Sequence, residues 1–276
     1  MKVLLIQPPP GANSFVAKSG IPEPLALEIL AATIPHHDAE IFDMRLDRQP
    51  LREKIEIFQP DVIGVGCLTA GYYECVNLLK TIKKIEPKII SVVGGHHPTV
   101  MPQDFVGTST DFMVIGEGEE TFRELVDTLE SRGDPTEVSG LAIPRNGKVQ
   151  FTNERPLIDL DEMPVPKREL TRQYRHKYFR GATKSYACLL TSRGCQFRCK
   201  FCCQWTLNKG SYRIRKTENV VDELRRIQEN FIDFVDDNSW GNTNWMSELC
   251  DKIKAAGIQK EYKLYARSDL ILNRPD

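Results

Sequence analysis

Ala187-Cys188-Leu189-Leu190-Thr191-Ser192-Arg193-Gly194-Cys195-Gln196-Phe197-Arg198-Cys199-Lys200-Phe201-Cys202 runs from an apolar, strand-like segment into three cysteines spaced Cys-x-x-x-Cys-x-x-Cys. Three thiolates on one short loop can hold three irons of a cubane cluster, which leaves the fourth iron open to a small molecule. The competing reading is a structural zinc site, which needs four protein donors, commonly Cys or His in pairs. No histidine follows His176, Cys203 abuts Cys202 too closely to share its metal, and Cys250 falls inside an expected helix. The donor set therefore favours an iron cluster with Cys195, Cys199 and Cys202 as its metal ligands.

Downstream of this loop strand and helix keep alternating. Strands are expected at residues 187–191, 231–235 and 261–266. One helix is expected to be capped by Thr217 and to carry Val220, Leu224 and Ile227 on one face, and another to run from about Trp245 to Ala256. The strands end at the cysteine loop, at Asp236-Asp237-Asn238 and at Arg267. Three βα units with polar carboxyl ends match part of a TIM-like barrel, whose active site occupies that face. Asp and Asn also favour exposed turns and helix caps, so the acidic loop has a plain structural reading as well.

The same alternation occurs upstream. β-rich runs at residues 3–7, 39–42, 62–66, 89–93 and 112–115 are separated by helical patterns, with Phe122, Leu125, Val126 and Leu129 at i, i+3, i+4, i+7 and Leu78, Ile82 and Ile85 in part. Residues 25–34 are apolar nearly all round and stop at Pro35, which predicts a buried helix whose end His36 and His37 cap. This pattern predicts an α/β fold with a doubly wound parallel sheet of the flavodoxin or Rossmann kind, followed by the partial barrel.

Ligands of such sheets bind beyond the carboxyl ends of the strands. The loops there read Pro8-Pro9-Pro10-Gly11, Asp43-Met44-Arg45, Cys67-Leu68-Thr69-Ala70-Gly71, Gly94-Gly95-His96-His97-Pro98 and Gly116-Glu117-Gly118-Glu119. Their glycines either let a backbone approach a ligand or only make tight strand-to-helix turns. His96 and His97 either meet a ligand or metal or sit in a solvated turn. No Gly-x-Gly-x-x-Gly follows the first strand, which argues against a nicotinamide or flavin dinucleotide.

Between the halves, Asn146-Gly147 signals a hairpin, and the prolines at 156, 164 and 166 mark a connector crossing the surface. The expected organisation is residues 1–138 as the sheet domain, 139–185 as hairpin and linker, and 186–276 as the first three units of a barrel. A net charge of −1 in 276 residues gives no general pull toward nucleic acid. No apolar run approaches the roughly 20 residues that span a bilayer, and no signal-peptide pattern opens the chain. Eight cysteines, clustered on one loop or isolated, suit a reducing, cytoplasmic compartment. Cys67, Cys75, Cys188 and Cys250 read as small buried hydrophobes.

The segment from Arg193 to Cys202, with an aromatic before its last cysteine, resembles the three-cysteine motif of radical S-adenosylmethionine enzymes. The order of the halves is similar to the cobalamin-binding branch, and the resemblance covers essentially the whole chain. Further phrases that carry it are Gly94-Gly95-His96-His97-Pro98, residues 116–122 (Gly-Glu-Gly-Glu-Glu-Thr-Phe) and Phe234-Val235-Asp236-Asp237-Asn238. The resemblance implies that the three cysteines hold a [4Fe-4S] cluster whose free iron chelates S-adenosylmethionine, which one electron cleaves to methionine and a 5′-deoxyadenosyl radical. It implies Phe201 against the adenine, Asp236, Asp237 and Asn238 near the methionine ammonium, and Arg267 at the methionine carboxylate. For cobalamin it implies Thr69, Gly71, Gly94, Gly95, His97, Gly116 and Glu117. Where the family's cobalamin signature has a cobalt-ligating histidine, Arg45 stands in Asp43-Met44-Arg45-Leu46-Asp47-Arg48. Arginine stays protonated and has no lone pair for cobalt, so cobalamin is expected with neither its own base nor a histidine on the lower face.

The implied activity is methylation of an unactivated carbon in a hydrophobic or tetrapyrrole-like substrate, as in hopanoid and bacteriochlorophyll-pathway methylases. Oxidative ring closure, as in anaerobic magnesium-protoporphyrin ester cyclase, is the second enzymatic reading, and a non-catalytic cobalamin- or cluster-binding module is the third. An electron donor such as flavodoxin or ferredoxin is the implied partner. A closed barrel needs about 200 residues or more, and the chain stops at Asn273-Arg274-Pro275-Asp276. A fragment that self-associates and does not turn over is therefore expected.

Overall fold

The strand and helix alternation of the first half resolves into a seven-stranded sheet. In a computed structural model, which describes residues 1–10, 20–181 and 183–272, β1 (Lys2–Gln7), β2 (Asp38–Asp43), β3 (Val62–Gly66), β4 (Ile90–Gly94) and β5 (Phe112–Val114) are parallel in the order β2-β1-β3-β4-β5. Gly11 and the terminal residues 273–276 lie outside the described residues. Helices α1 (Leu25–Thr33), α2 (Leu51–Phe58), α3 (Tyr72–Ile85), α4 (His96–Val100) and α5 (Glu119–Glu130) make the crossovers. Successive side chains of a strand point to opposite faces, so β1 feeds two cores. Leu4 and Ile6 pack with Leu79 and Ile82 of α3, while Val3 and Leu5 pack with Ala31 of α1 and Phe122, Leu125 and Val126 of α5. The strand order reverses between β1 and β3, which in this topology places the ligand crevice at their carboxyl ends.

Three expectations change in this unit. The Asn146-Gly147 turn, with φ of 51° and 74°, does join β6 (Leu141–Arg145) to β7 (Lys148–Phe151). However, β6 then pairs antiparallel with β5, Ala142 opposite Met113. The hairpin is thus the edge of the first sheet, and the first unit comprises Met1–Leu157 and Pro164–Tyr174. The connector is less superficial than its prolines suggest. Thr171 and Tyr174 are buried, the Tyr174 hydroxyl donates to Asp47, and Thr171 donates to the carboxylate of Glu28, itself buried on α1. His37 does not cap α1. It follows the turn closed by its own N–H on Ile34 O, beyond the helix's last carbonyls, and its buried ring meets Asp127 at 2.8 Å and the Met1 amino group at 3.1 Å.

The second unit, Ile158–Met163 with the chain from Arg175 onward, contains the parallel strands β8 (Tyr186–Leu189), β11 (Phe231–Phe234) and β12 (Glu261–Lys263) in the order β8-β11-β12. Between the first two, β9 (Ser192–Gly194) pairs antiparallel with β10 (Tyr212–Ile214), with the short helix α6 (Gln204–Leu207) inside the loop they close. Helices α7 (Thr217–Arg226), α8 (Thr243–Ala255) and α9 (Ser268–Leu272) complete the order. Ala187, Leu189, Ile232 and Phe234 bury against Val220 and Leu224 of α7 and Trp245 and Leu249 of α8. Thr217 is the first helical residue rather than a cap: its hydroxyl donates to Glu248, 2.6 Å away. Asn242 does cap α8, accepting from Trp245 N–H. Cys250 is exposed rather than buried, because the apolar stripe of α8 runs through Trp245, Met246, Leu249 and Ile253 and leaves position 250 outside.

The barrel strands are tied at their carboxyl ends by Asp236. Its Oδ1 accepts from the backbone N–H of Thr191 at 2.7 Å and of Ser192 at 2.9 Å, and its Oδ2 from the Thr191 hydroxyl. Burial pushes this carboxyl above the usual range, while those donors pull it back. Asp236→Ala leaves the backbone N–H groups of Thr191 and Ser192 without their acceptor in the interior. We expect a loss of roughly 1–3 kcal/mol, read as a lowered unfolding temperature; an unchanged temperature would remove Asp236 from the fold's supports. In the first unit Gly95 has φ of 108°, and a Cβ there would lie 2.9 Å from Cys67 O. Gly95→Ala is expected to cost about 1–3 kcal/mol in chemical denaturation, and a neutral substitution would contradict the geometry.

Candidate functional site

The cysteine loop leaves the barrel at Gly194, whose φ of 88° and 2.1 Å spacing from an added Cβ to Ser211 O admit no side chain. Asp237 accepts from Gly194 N–H at 2.9 Å and from the Asn208 amide at 3.4 Å, so both sides of the loop's neck are pinned. Within it Cys202 N–H donates to Cys199 O at 3.0 Å. Cys195, Cys199 and Cys202 are half-buried and Cys203 is exposed. Among the described residues no three His, Cys, Asp or Glu side chains are gathered for one metal ion. A mononuclear zinc draws its donors to one point, whereas a cubane takes each thiolate on a different iron.

The other expected residues of this site have varied placements. Asp236 is committed to Thr191 and Ser192, which corrects its expected contact with a methionine ammonium: its oxygens serve the fold. Asn238 is 2% exposed, and neither its Nδ2 nor its Oδ1 has a hydrogen-bond partner among the described residues. A buried amide with both functions unmet is costly unless another molecule meets them, so this position fits a polar ligand. Arg267 stacks at 3.9 Å on the Phe197 ring, donates to Cys199 Sγ at 3.5 Å and grips Asp269 through two 3.0 Å bonds. Asp269 first, and the nearby thiols of Cys199 and Cys195 after it, raise the Arg267 guanidinium further above its ordinary value. Phe201 is 94% exposed. The Phe197 stack and the Asn208 tie had no signal in the sequence, since both depend on strands that the sequence does not reveal as paired.

At the carboxyl face of the first unit the glycines separate into two kinds. Gly95 is required by the fold, as its φ and the nearby Cys67 backbone show, and Gly94 would bring a Cβ to an ordinary 3.8 Å from Val114. Gly66 and Gly71 have ordinary backbone, and among the described residues nothing lies within 4 Å of an added Cβ at either. Gly116, exposed with φ of 77°, also faces open space, and half-buried Glu117 follows it. Thr69 is exposed, and His97 is buried rather than in a solvated turn, because its ring is covered by Tyr72 and Phe105. Leu68 and Tyr73 lie 60% and 76% exposed on the same loop and helix start, an apolar lining for a flat ligand. Arg45 is clamped by Asp43, Nε to Oδ1 at 2.8 Å and Nη2 to Oδ2 at 2.6 Å, and bonds Pro22 O at 2.7 Å. Beneath the loop the buried Cys67 thiol donates to Leu68 O at 3.6 Å, and a hydrogen bond between the free thiols of Cys67 and Cys75 pulls Cys67 down and pushes Cys75 up. A hollow lined by Ile55, Gln59, Asp61, Ile85 and Ile90 sits at the opposite, amino ends of the strands and offers neither thiol nor histidine. No helix of the described residues is long and apolar enough to cross a membrane.

Comparison with known proteins agrees with this division. The B12 binding domain model matches residues 17–126. The hopanoid C-3 methylase of Methylococcus capsulatus is 33% identical over 100% of this chain and 54% of its own length. The anaerobic magnesium-protoporphyrin IX monomethyl ester cyclase of Rubrivivax gelatinosus is 33% identical over 65% of this chain and 33% of its own length. The fold is shared, at a TM-score of 0.80 and 21% identity, with the cobalamin-dependent S-adenosylmethionine radical enzyme OxsB, solved with aqua-cobalamin and S-adenosylmethionine, over 100% of this chain and 40% of OxsB. The chain thus spans about half the length of the hopanoid methylase and less of the others. With its three-cysteine loop on a partial barrel and a sheet that matches the B12 binding domain over residues 17–126, the chain is similar along its whole length to cobalamin-binding radical S-adenosylmethionine enzymes.

Proposed function

We propose that this chain is the cofactor-binding part of a radical S-adenosylmethionine methyltransferase that uses cobalamin to methylate an unactivated carbon of a hydrophobic or tetrapyrrole-like substrate. The observation that carries this reading is the neck-pinned loop of three half-buried thiols, next to which the Asn238 amide is buried with both functions unmet. Cys195, Cys199 and Cys202 would hold the [4Fe-4S] cluster. Asn238 would supply donor and acceptor to the amino acid end of S-adenosylmethionine, and Asp237 would hold the loop. Arg267, fixed by Asp269 and Phe197, would place a permanent cation beside the ligand thiolates and, from there, near a methionine carboxylate. Phe201, free of contacts, is available to cover an adenine.

On the first unit Thr69, Gly71, Gly94, Gly95, His97, Gly116 and Glu117 would form the cobalamin face. Gly66 and Gly71 support this, since empty space at a glycine with ordinary backbone suits the approach of a broad ligand. When bound, the cluster and cobalamin would supply a one-electron reductant for S-adenosylmethionine and a transferable methyl group. The electron would come from a donor such as flavodoxin or ferredoxin. Ring closure is the second reading, favoured by the similarity to the magnesium-protoporphyrin ester cyclase. A product heavier by CH2, a methyl group in place of a hydrogen, supports methylation, and one lighter by two hydrogens supports cyclisation.

Anaerobic reconstitution should yield about four irons and four sulfides per chain with broad charge-transfer absorption. Ala at Cys195, Cys199 or Cys202 should abolish it and Cys203→Ala should not; stoichiometric zinc in place of iron would overturn the assignment. Cobalamin should bind saturably in a base-off form, because Arg45 is locked to Asp43 and has no lone pair for cobalt. Absence of saturable binding, or a histidine-ligated cobalt spectrum, would count against it.

A further inference from the structure

We propose that Asp104 and His97 fix the polarity of the Thr69 hydroxyl, so that Thr69 presents lone pairs, and not its proton, to the molecule bound at the carboxyl face of the first unit. The ligand's identity rests on the cobalamin reading above; the polarity rests on the protein alone.

His97, in the first turn of α4, has its backbone N–H on Cys67 O at 3.1 Å and its carbonyl on Met101 N–H at 2.8 Å. Its ring, 3% exposed as a residue, lies 4.8 Å from the Tyr72 ring and 5.7 Å from that of Phe105, which themselves meet at 5.5 Å. Tyr72 also donates to Asp104 O at 2.7 Å and so holds the segment that carries the Asp104 carboxylate. The ring therefore has one orientation, Nδ1 at 3.2 Å from Thr69 Oγ1 and Nε2 at 3.2 Å from Asp104 Oδ2. The second contact falls outside hydrogen-bond geometry, and Nε2 has no other partner among the described residues, so the carboxylate acts on it by charge.

A neutral imidazole carries one N–H. Placing the bare nitrogen against a carboxylate in a buried setting sets two negative lobes together, so the proton belongs on Nε2. Nδ1 is then an acceptor, and the group in front of it is the Thr69 hydroxyl. A hydroxyl has a single proton; once it is given to Nδ1, the solvent side of Oγ1 can only accept. The occupant must therefore bring an N–H or O–H donor. The corrin ring of cobalamin is rimmed with primary carboxamides, which supply N–H, whereas a carboxylate in the same place would face lone pairs. His97 and Asp104 are positioning residues that act through Thr69.

The test uses the full chain. At mildly alkaline pH, where an ordinary imidazole is neutral, ¹⁵N NMR should show the His97 ring as the Nε2–H tautomer, and Asp104→Asn should shift it toward Nδ1–H. Thr69→Val, at an exposed position, should weaken cobalamin about tenfold, the value of one neutral hydrogen bond, and Thr69→Ser should restore it. Among cobalamin monocarboxylates, each with one carboxamide hydrolysed, at least one should bind the unmodified chain about tenfold more weakly than cobalamin, and Thr69→Val should erase that difference. An Nδ1–H ring in the unmodified chain, or a Thr69→Val chain that binds and discriminates as before, would overturn the proposal. Failure of the unmodified chain to bind any cobalamin would overturn the functional reading and the ligand half of this inference, while the NMR result still judges the polarity.

Discussion

The second unit depends on two adjacent carboxylates at the end of β11. Asp236 accepts the two backbone N–H groups where the chain leaves β8, and Asp237 accepts the N–H of Gly194 just before the first cysteine. Buried backbone donors must be paired, and here the pairing is done by side chains from the neighbouring strand. The position of the cysteine loop thereby becomes a property of the β8-β11 pair. The conformation at Gly194, which no other residue could hold, follows from the same constraint.

The first unit reaches a comparable result by different means. Its central strands β1 and β3 are buried on both faces, as parallel strands covered by helices must be. The carboxyl ends carry two polar groupings, Asp43 with Arg45 and His97 with Thr69 and Asp104. The buried core fixes the strands, and the strands fix these groups to within one loop of the reversal in strand order. Each unit thus presents its chemistry where the backbone turns from strand to helix.

A charged pair illustrates how such a face is tuned. Arg45 would otherwise be a mobile cation at the mouth of the sheet; gripped by the fully buried Asp43 carboxylate, it is a fixed, neutralised wall. Arg267 in the second unit is held the same way by Asp269, yet remains in contact with a cysteine sulfur. In both cases the carboxylate decides where the guanidinium can act.

Much of this was legible in the residues. Phe122, Leu125 and Val126 had to face a sheet because their spacing leaves one apolar stripe, Asn146-Gly147 had to turn because its backbone angles suit few other pairs, and the cysteine spacing named a cluster because thiolates at that spacing have few other uses. The pairing of β9 with β10, the enclosure of His97 by Tyr72 and Phe105, and the diversion of Asp236 from ligand to fold were decided only by the tertiary structure. Each joins residues far apart in the chain, where local periodicity and propensity carry no information. Sequence determines which groups are available and which local shapes they favour; which carboxylate meets a backbone N–H and which amide is left for a ligand depends on distances that exist only after the strands have paired.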